Sequence, residues 1–148
     1  MKTVILYYSI HHGNTKKLAE AIAAADPEVE LIEASNAATA DLSGYDLIGL
    51  ASGVYGGNWG KPILRAMENR LPEGKNVFLL CTSSMKLDMH LKEARKIIAD
   101  KNCREVGMYR CTGYDTFGPF KIIGGVGKGH PNEKECRKAV EFYQGLIK

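Results

Sequence analysis

Three short stretches of the chain gather most of the residues able to bind or react. The first is Ser9-Ile10-His11-His12-Gly13-Asn14-Thr15, followed by Lys16-Lys17. It leaves a continuous apolar run, Thr3-Val4-Ile5-Leu6-Tyr7-Tyr8, and opens a segment where Leu18, Ile22 and Ala25 recur at helical spacing. A loop from a buried strand into a helix offers unpaired backbone N–H groups and a positive dipole end to an anion. Gly13 allows close approach, and Ser9, Asn14 and Thr15 supply side-chain hydrogen bonds. Neither the Gly-x-x-x-x-Gly-Lys-Ser/Thr spacing nor Gly-x-Gly-x-x-Gly is present. The pattern points to a phosphate held by backbone and hydroxyl groups with few charges. The competing reading is a helix N-cap and nothing more.

The second stretch is Ser52-Gly53-Val54-Tyr55-Gly56-Gly57-Asn58-Trp59-Gly60. Its glycines let a peptide face a ligand closely. Tyr55 and Trp59 are candidates to stack on a flat ring, with a core role as the alternative for Trp59, the only tryptophan. The third, Thr82-Ser83-Ser84-Met85, offers backbone donors and hydroxyls after another apolar run.

These stretches need a frame that brings them together. Strand-like runs at Val29–Ile32, Asp46–Ala51, Asn76–Cys81 and Glu105–Cys111 follow the first run. Helical stripes fall between them. Pro27 ends the first helix; Ile63, Leu64, Met67 and Leu71 mark a second, with Pro62 in its first turn. Leu87, Leu91, Ala94 and Ile98 mark a third. A last helix carries Cys136, Val140, Tyr143 and Ile147, with Asn132 as its cap and Glu135 completing a capping box. Strands alternating with helices argue for an α/β doubly wound parallel sheet with helices on both faces. Such sheets bind ligands beyond the carboxyl ends of their strands, where these three loops fall. Thr112–Pro131 breaks the alternation: twenty residues with six glycines, two prolines and no helical stripe. Loops of that length in compact domains are usually functional or disordered, and the aromatics Tyr114, Phe117 and Phe120 favour function, with a flap covering the sheet edge as the alternative.

Composition narrows the classes. The 148 residues are 45% apolar and 25% charged, which fits one globular domain over residues 1–148 and excludes a fibrous repeat. No apolar run approaches the roughly 18 residues of a membrane span. No secretion signal is found, so a cytoplasmic location is expected. Between Leu18 and Gly60 there are seven acids and no Lys or Arg, while the rest is net basic. The basic residues fall at helix-surface spacing rather than on one aromatic-rich face, so nucleic acid is not an expected partner. Cys81, Cys103, Cys111 and Cys136 lack zinc spacing and read as reduced, mostly buried residues, Cys111 being the candidate if one is reactive. His11, His12 and His90 have no metal-site spacing either.

Taken in order, Tyr7-Tyr8-Ser9, Gly13-Asn14-Thr15-Lys16-Lys17-Leu18-Ala19 and Gly53-Val54-Tyr55-Gly56-Gly57 resemble the flavodoxin family over essentially the whole chain. Gly113-Tyr114-Asp115-Thr116-Phe117-Gly118-Pro119 and Gly129-His130-Pro131-Asn132-Glu133 look like a branch from anaerobic microbes. The resemblance implies a five-stranded sheet in the order 2-1-3-4-5 and non-covalent FMN. It places the phosphate at Gly13, Asn14 and Thr15, with Ser9, His11 and His12 beside it. The ring falls among Ser52, Gly53, Val54, Tyr55, Gly56, Gly57 and Trp59, with Thr82, Ser83, Ser84, Tyr114, Asp115 and Phe117 from later loops. Gly56 and Gly57 match the peptide that accepts a hydrogen bond from the reduced ring and stabilises the one-electron form.

Three departures stand out. His12 occupies a threonine position and Ser9 comes one residue early. The Thr82–Met85 loop lacks the usual stacking aromatic. The chain is mildly basic, with a net charge of +3, where flavodoxins are acidic. The resemblance implies an electron carrier between protein redox partners, as a monomer or weak homodimer. A small FMN-dependent NAD(P)H reductase acting on a quinone is the alternative enzyme reading, and a flavin-free binding module of the same fold is the third. Tyr114, Asp115 and His130 are eligible for reductase chemistry, but no nicotinamide site is evident.

Overall fold

The structure is a computed structural model and describes residues 1–9, 13–113 and 129–148. Strands β1 (Thr3–Tyr8), β2 (Val29–Glu33), β3 (Leu47–Tyr55), β4 (Asn58–Trp59), β5 (Asn76–Ser83) and β6 (Arg104–Thr112) alternate with helices α1 (Asn14–Ala25), α2 (Lys61–Arg70), α3 (Lys92–Asp100) and α4 (Glu133–Leu146). The sheet runs β2-β1-β3-β5-β6, all parallel, with β4 folded back antiparallel on β3. With β4 set aside, this is the expected order 2-1-3-4-5.

Continuous apolar strands arise because both sheet faces are covered. Val4 and Leu6 of β1, Ile48 and Leu50 of β3, and Val77 and Leu79 of β5 point to one core, shared with Ile63 and Met67 of α2 and Ala94 and Ile98 of α3. Ile5, Leu47, Ala51, Phe78 and Leu80 point to the other, closed by Leu18 and Ile22 of α1 and Tyr143 of α4. Alternation along each strand thus assigns every side chain to one helix pair or the other. The sheet edge is clipped to its helix by Arg95 of α3, whose Nε and Nη2 each lie 3.0 Å from a carboxylate oxygen of Glu105.

Several sequence expectations shift in detail. Strand β3 runs four residues further than its apolar core suggests, because Ser52–Tyr55 continue into a hairpin with Asn58–Trp59. Gly56 and Gly57 make its two-residue turn with φ of 65° and 86°, the left-handed pair that matches strand twist. The third helix starts later than its stripe implied. A 3₁₀ turn, Asp88–Leu91, precedes Lys92, and Leu87 is 39% exposed rather than core. In α1 the buried position is Ala19 and not Ala25. The capping box forms as expected, with Asn132 Oδ1 accepting from Glu135 N and Glu135 Oε1 accepting from Asn132 N, both at 2.9 Å. No helix among the described residues is long and apolar enough to cross a membrane.

Candidate functional site

Register decides which loop ends meet. Tyr8 pairs with Ser52, Gly53 with Thr82, and Ser83 with Thr112, so the three chemistry-bearing stretches leave the sheet side by side at its carboxyl edge. Gly13 caps α1 with φ 65° and ψ 27°, a left-handed conformation that turns the chain from β1 into the helix. Gly13 has no side chain with which to cap α1, so the positive dipole end there favours an anionic acceptor. Ser9 Oγ is buried with no hydrogen-bond partner among the described residues. A buried hydroxyl in that state costs about 1–3 kcal/mol, which a ligand oxygen would recover.

The remaining loops close around this point. Thr15, fully buried, and Thr82, 2% exposed, share a hydrogen bond of 2.9 Å between their hydroxyl oxygens. It ties the start of α1 to the end of β5. Gly113 at the end of β6 donates its N–H to Ser83 O at 3.2 Å. A Cβ on Gly113 would stand 2.7 Å from Asn14 Nδ2 and 3.2 Å from Thr82 Cβ, so only glycine lets the β6 end seat against the first loop. Ser83 Oγ donates to Met85 O and folds the third loop back on itself.

The hairpin contributes differently from its residue types. Ser52 Oγ donates to Gly53 O at 2.7 Å and accepts from Gly60 N at 3.2 Å, so this buried hydroxyl fastens the base of the hairpin. Tyr55 lies back over Gly53, where a Cβ would sit 2.9 Å from the phenol oxygen. Its ring meets Tyr8 edge-on, with centroids 5.5 Å apart. These two rings, with Asn58, Lys61 and Leu64, line a cleft of about 590 Å³ on the α2 side of the hairpin. Val54 packs half-buried against the core. Gly56 and Gly57 have open space where a Cβ would go, so the hairpin tip presents bare backbone.

Trp59 corrects one expectation. It is 1% exposed and belongs to the α2/α3 core, the alternative role named for it, while also lining the hairpin cleft. Packing claimed the largest apolar surface in the chain. Cys111 is 2% exposed, and burial pushes its thiol up to about 12, which disfavours the reactive thiolate. Burial also raises the Cys81 thiol, against the opposing pull of Trp59 and Arg110. All four cysteines are free.

Ser9, Gly13, Asn14, Thr15, Thr82 and Ser83 are therefore brought together, and Gly53, Tyr55, Gly56 and Gly57 stand on the neighbouring hairpin. Ser84 follows directly in the third loop. His11, His12, Tyr114, Asp115 and Phe117 lie outside the described residues. Two residues join the site that residue type alone did not single out, Gly113 and Tyr8. For both, the signal was position at the carboxyl end of a strand.

Fold and site together define a flavodoxin-like α/β protein. The family model described as "Flavodoxin domain" matches residues 4–107. An uncharacterised protein of Methanocaldococcus jannaschii is 36% identical over 150 residues, covering 100% of this chain and 99% of that one. Among solved structures, the Fusobacterium nucleatum flavodoxin bound to flavin mononucleotide has a TM-score of 0.69 at 15% identity, covering 99% of this chain and 98% of that one. A flavoprotein in complex with FMN from Lactobacillus acidophilus has a TM-score of 0.58 at 25% identity, covering 74% of this chain and 92% of its own. This chain belongs to the flavodoxin domain family.

Proposed function

We propose that this chain binds FMN non-covalently and carries single electrons between protein redox partners. The observation that carries the reading is the buried Ser9 hydroxyl, without a hydrogen-bond partner among the described residues, at the end of the strand that leads into α1. A phosphate supplies the acceptors that this corner lacks. Solved relatives of the same fold are described as holding FMN, which supports the same cofactor here.

In this reading Gly13, Asn14 and Thr15 hold the phosphate through backbone and hydroxyl groups, and Ser9 donates from the strand end. The Thr15–Thr82 bond keeps the phosphate corner in register with the β5 loop. The Gly56-Gly57 tip can present a carbonyl to the ring without a side chain in the way. FMN supplies the redox chemistry; the chain orients it and sets its potentials.

The test is a visible absorption spectrum of the purified chain with added FMN, followed through stepwise anaerobic reduction. Retained flavin reduced in two separated one-electron steps is the expected result. Retained flavin reduced in one two-electron step, with NAD(P)H consumed, would replace the carrier by the small reductase. A chain that retains no flavin would overturn both.

A further inference from the structure

We propose that Trp59, Cys81, His90 and Arg110 enclose a binding site for one internal water molecule, within the layer that α2 and α3 form on the sheet. The site is separate from the flavin reading and stands whether or not the chain takes up flavin. Away from the phosphate corner, three buried side-chain atoms have no hydrogen-bond partner among the described residues: Trp59 Nε1, His90 Nδ1 and Arg110 Nε. Trp59 is 1% exposed, His90 7%, and the Arg110 side chain 12%. A polar atom left unpaired at such depth is rare in a folded chain, and three in one neighbourhood point to a shared partner.

The fold gathers the four residues from four elements. Cys81 of β5 pairs with Arg110 of β6, so the two side chains leave the same face of the sheet. That face carries the α2/α3 core, where Cys81 packs with Trp59 of β4 and with Leu91, the neighbour of His90. Arg110 reaches the 3₁₀ turn that carries His90. Its two Nη atoms are committed there, to Leu87 O at 3.0 Å and to Asp88 Oδ1 at 3.2 Å, which leaves only the Nε–H to serve the interior. Trp59 and Arg110 both act on the Cys81 thiol, pulling against the rise that burial gives it. Burial, with Arg110 adding to it, holds His90 below its ordinary value. The four groups thus feel one another as well as share a core.

Chemistry selects the guest. Indole and guanidinium N–H groups donate and cannot accept, so the guest must accept from both. A neutral imidazole offers Nδ1 as an acceptor when its proton sits on Nε2, and a neutral thiol offers weak sulfur lone pairs. Two donors facing two acceptors match a water molecule, which accepts from Trp59 and Arg110 and donates to His90 and Cys81. Buried waters make about three such bonds, to groups that would otherwise go unpaired. A halide would accept from the same two donors and then meet the lone pairs of His90 and Cys81. Only protonation of His90 would relieve that, and burial beside Arg110 opposes it. Trp59 also lines the hairpin cleft of about 590 Å³, which brings solvent to the site's edge. The water joins the base of the hairpin to the β5 and β6 strands and to the 3₁₀ turn.

Trp59 is the only tryptophan, so its indole N–H gives a single signal in the ¹⁵N-labelled full chain. Water-selective NOE and ROE spectra are recorded at that signal over a range of chloride concentrations. The expected result is cross-relaxation with water, opposite in sign between the two spectra as for a long-lived water, and unmoved by chloride. The Cys81→Ala variant removes an exchangeable S–H that could relay the effect, and should keep it. Oxygen-17 relaxation dispersion counts long-lived waters independently of proton exchange. His90→Phe, which keeps the bulk and lacks the acceptor, should lose one of them. An indole signal without water cross-relaxation would overturn the site and leave the donors on the Cys81 sulfur. A signal that moves with chloride while the His90 titration shifts upward would replace the water by an anion. An unchanged water count in folded His90→Phe would also overturn it; if that variant does not fold, the wild-type and Cys81→Ala spectra decide.

Discussion

The hydroxyl oxygens of Thr15 and Thr82 lie 2.9 Å apart in the protein interior, although 67 positions separate them in sequence. One opens α1 and the other closes β5, so a single bond joins two of the loops that define the site. Replacing either threonine by valine keeps the shape and leaves the other hydroxyl buried without its partner. Each variant is expected to lose about 1–3 kcal/mol in urea unfolding, and the double variant less than the sum. Strict additivity in that cycle would show that the bond is not made in solution.

Gly13 sits at φ 65°, and a Cβ there would meet no atom within 4 Å, so its constraint is conformational and not steric. Gly13→Ala should cost about 1–2 kcal/mol of stability from the left-handed backbone alone. Because the residue caps α1 beside Ser9, FMN affinity should fall as well. Quenching of flavin fluorescence measures that loss; full affinity with lowered stability would remove the α1 terminus from the site.

Two hairpin glycines respond differently. A methyl on Gly60 would fall 2.3 Å from the Tyr8 ring, whereas Gly57 has open space and φ 86°. Gly60→Ala should displace Tyr8 and cost about 1–3 kcal/mol. Gly57→Val should change the separation of the two one-electron potentials more than FMN affinity. A redox titration with unchanged potentials would reject that role for Gly57.

Glu135 makes stability depend on acid. Burial pushes its carboxyl up, but the Asn132 N–H and His130 outweigh this and hold it below the ordinary 4.5. A depressed folded value means that the carboxylate stabilises fully above 4.5 and loses that contribution as pH falls through its lower folded value. Glu135→Gln should cost about 0.5–1.5 kcal/mol at pH 7 and progressively less in acid. Urea unfolding of both chains across that range is the measurement; a constant difference would contradict it.

The cysteines divide by exposure. Cys81 and Cys111 are buried, while Cys103 and Cys136 are half-buried; burial raises the thiols of Cys81, Cys111 and Cys136. At pH 8 Ellman's reagent should label Cys103 and Cys136 first and reach the other two only on unfolding. Early loss of the Cys111 thiol from the native chain would restore it as a reactive group.

Residue order alone determined a good deal here. Apolar runs such as Thr3–Tyr8 and Asn76–Cys81 set the strands, because a strand covered on both faces has no polar side to show. Asn132 and Glu135 announced the start of α4, because a capping box is closed within four residues. Gly13 between a strand and a helix marked the turn into α1 for the same reason: its left-handed conformation is local. Tertiary structure decided what depends on a neighbour distant in sequence. Trp59 reads as a stacking ring until the α2/α3 core encloses it. Leu87 reads as core, yet it is 39% exposed in a segment whose carbonyl accepts from Arg110 of β6. Gly56 and Gly57 read as an open loop, and the pairing of β3 with β4 across them makes them a two-residue hairpin turn. Periodicity records which side of its own element a residue takes; the neighbour waiting on that side is set only when the strands take their order.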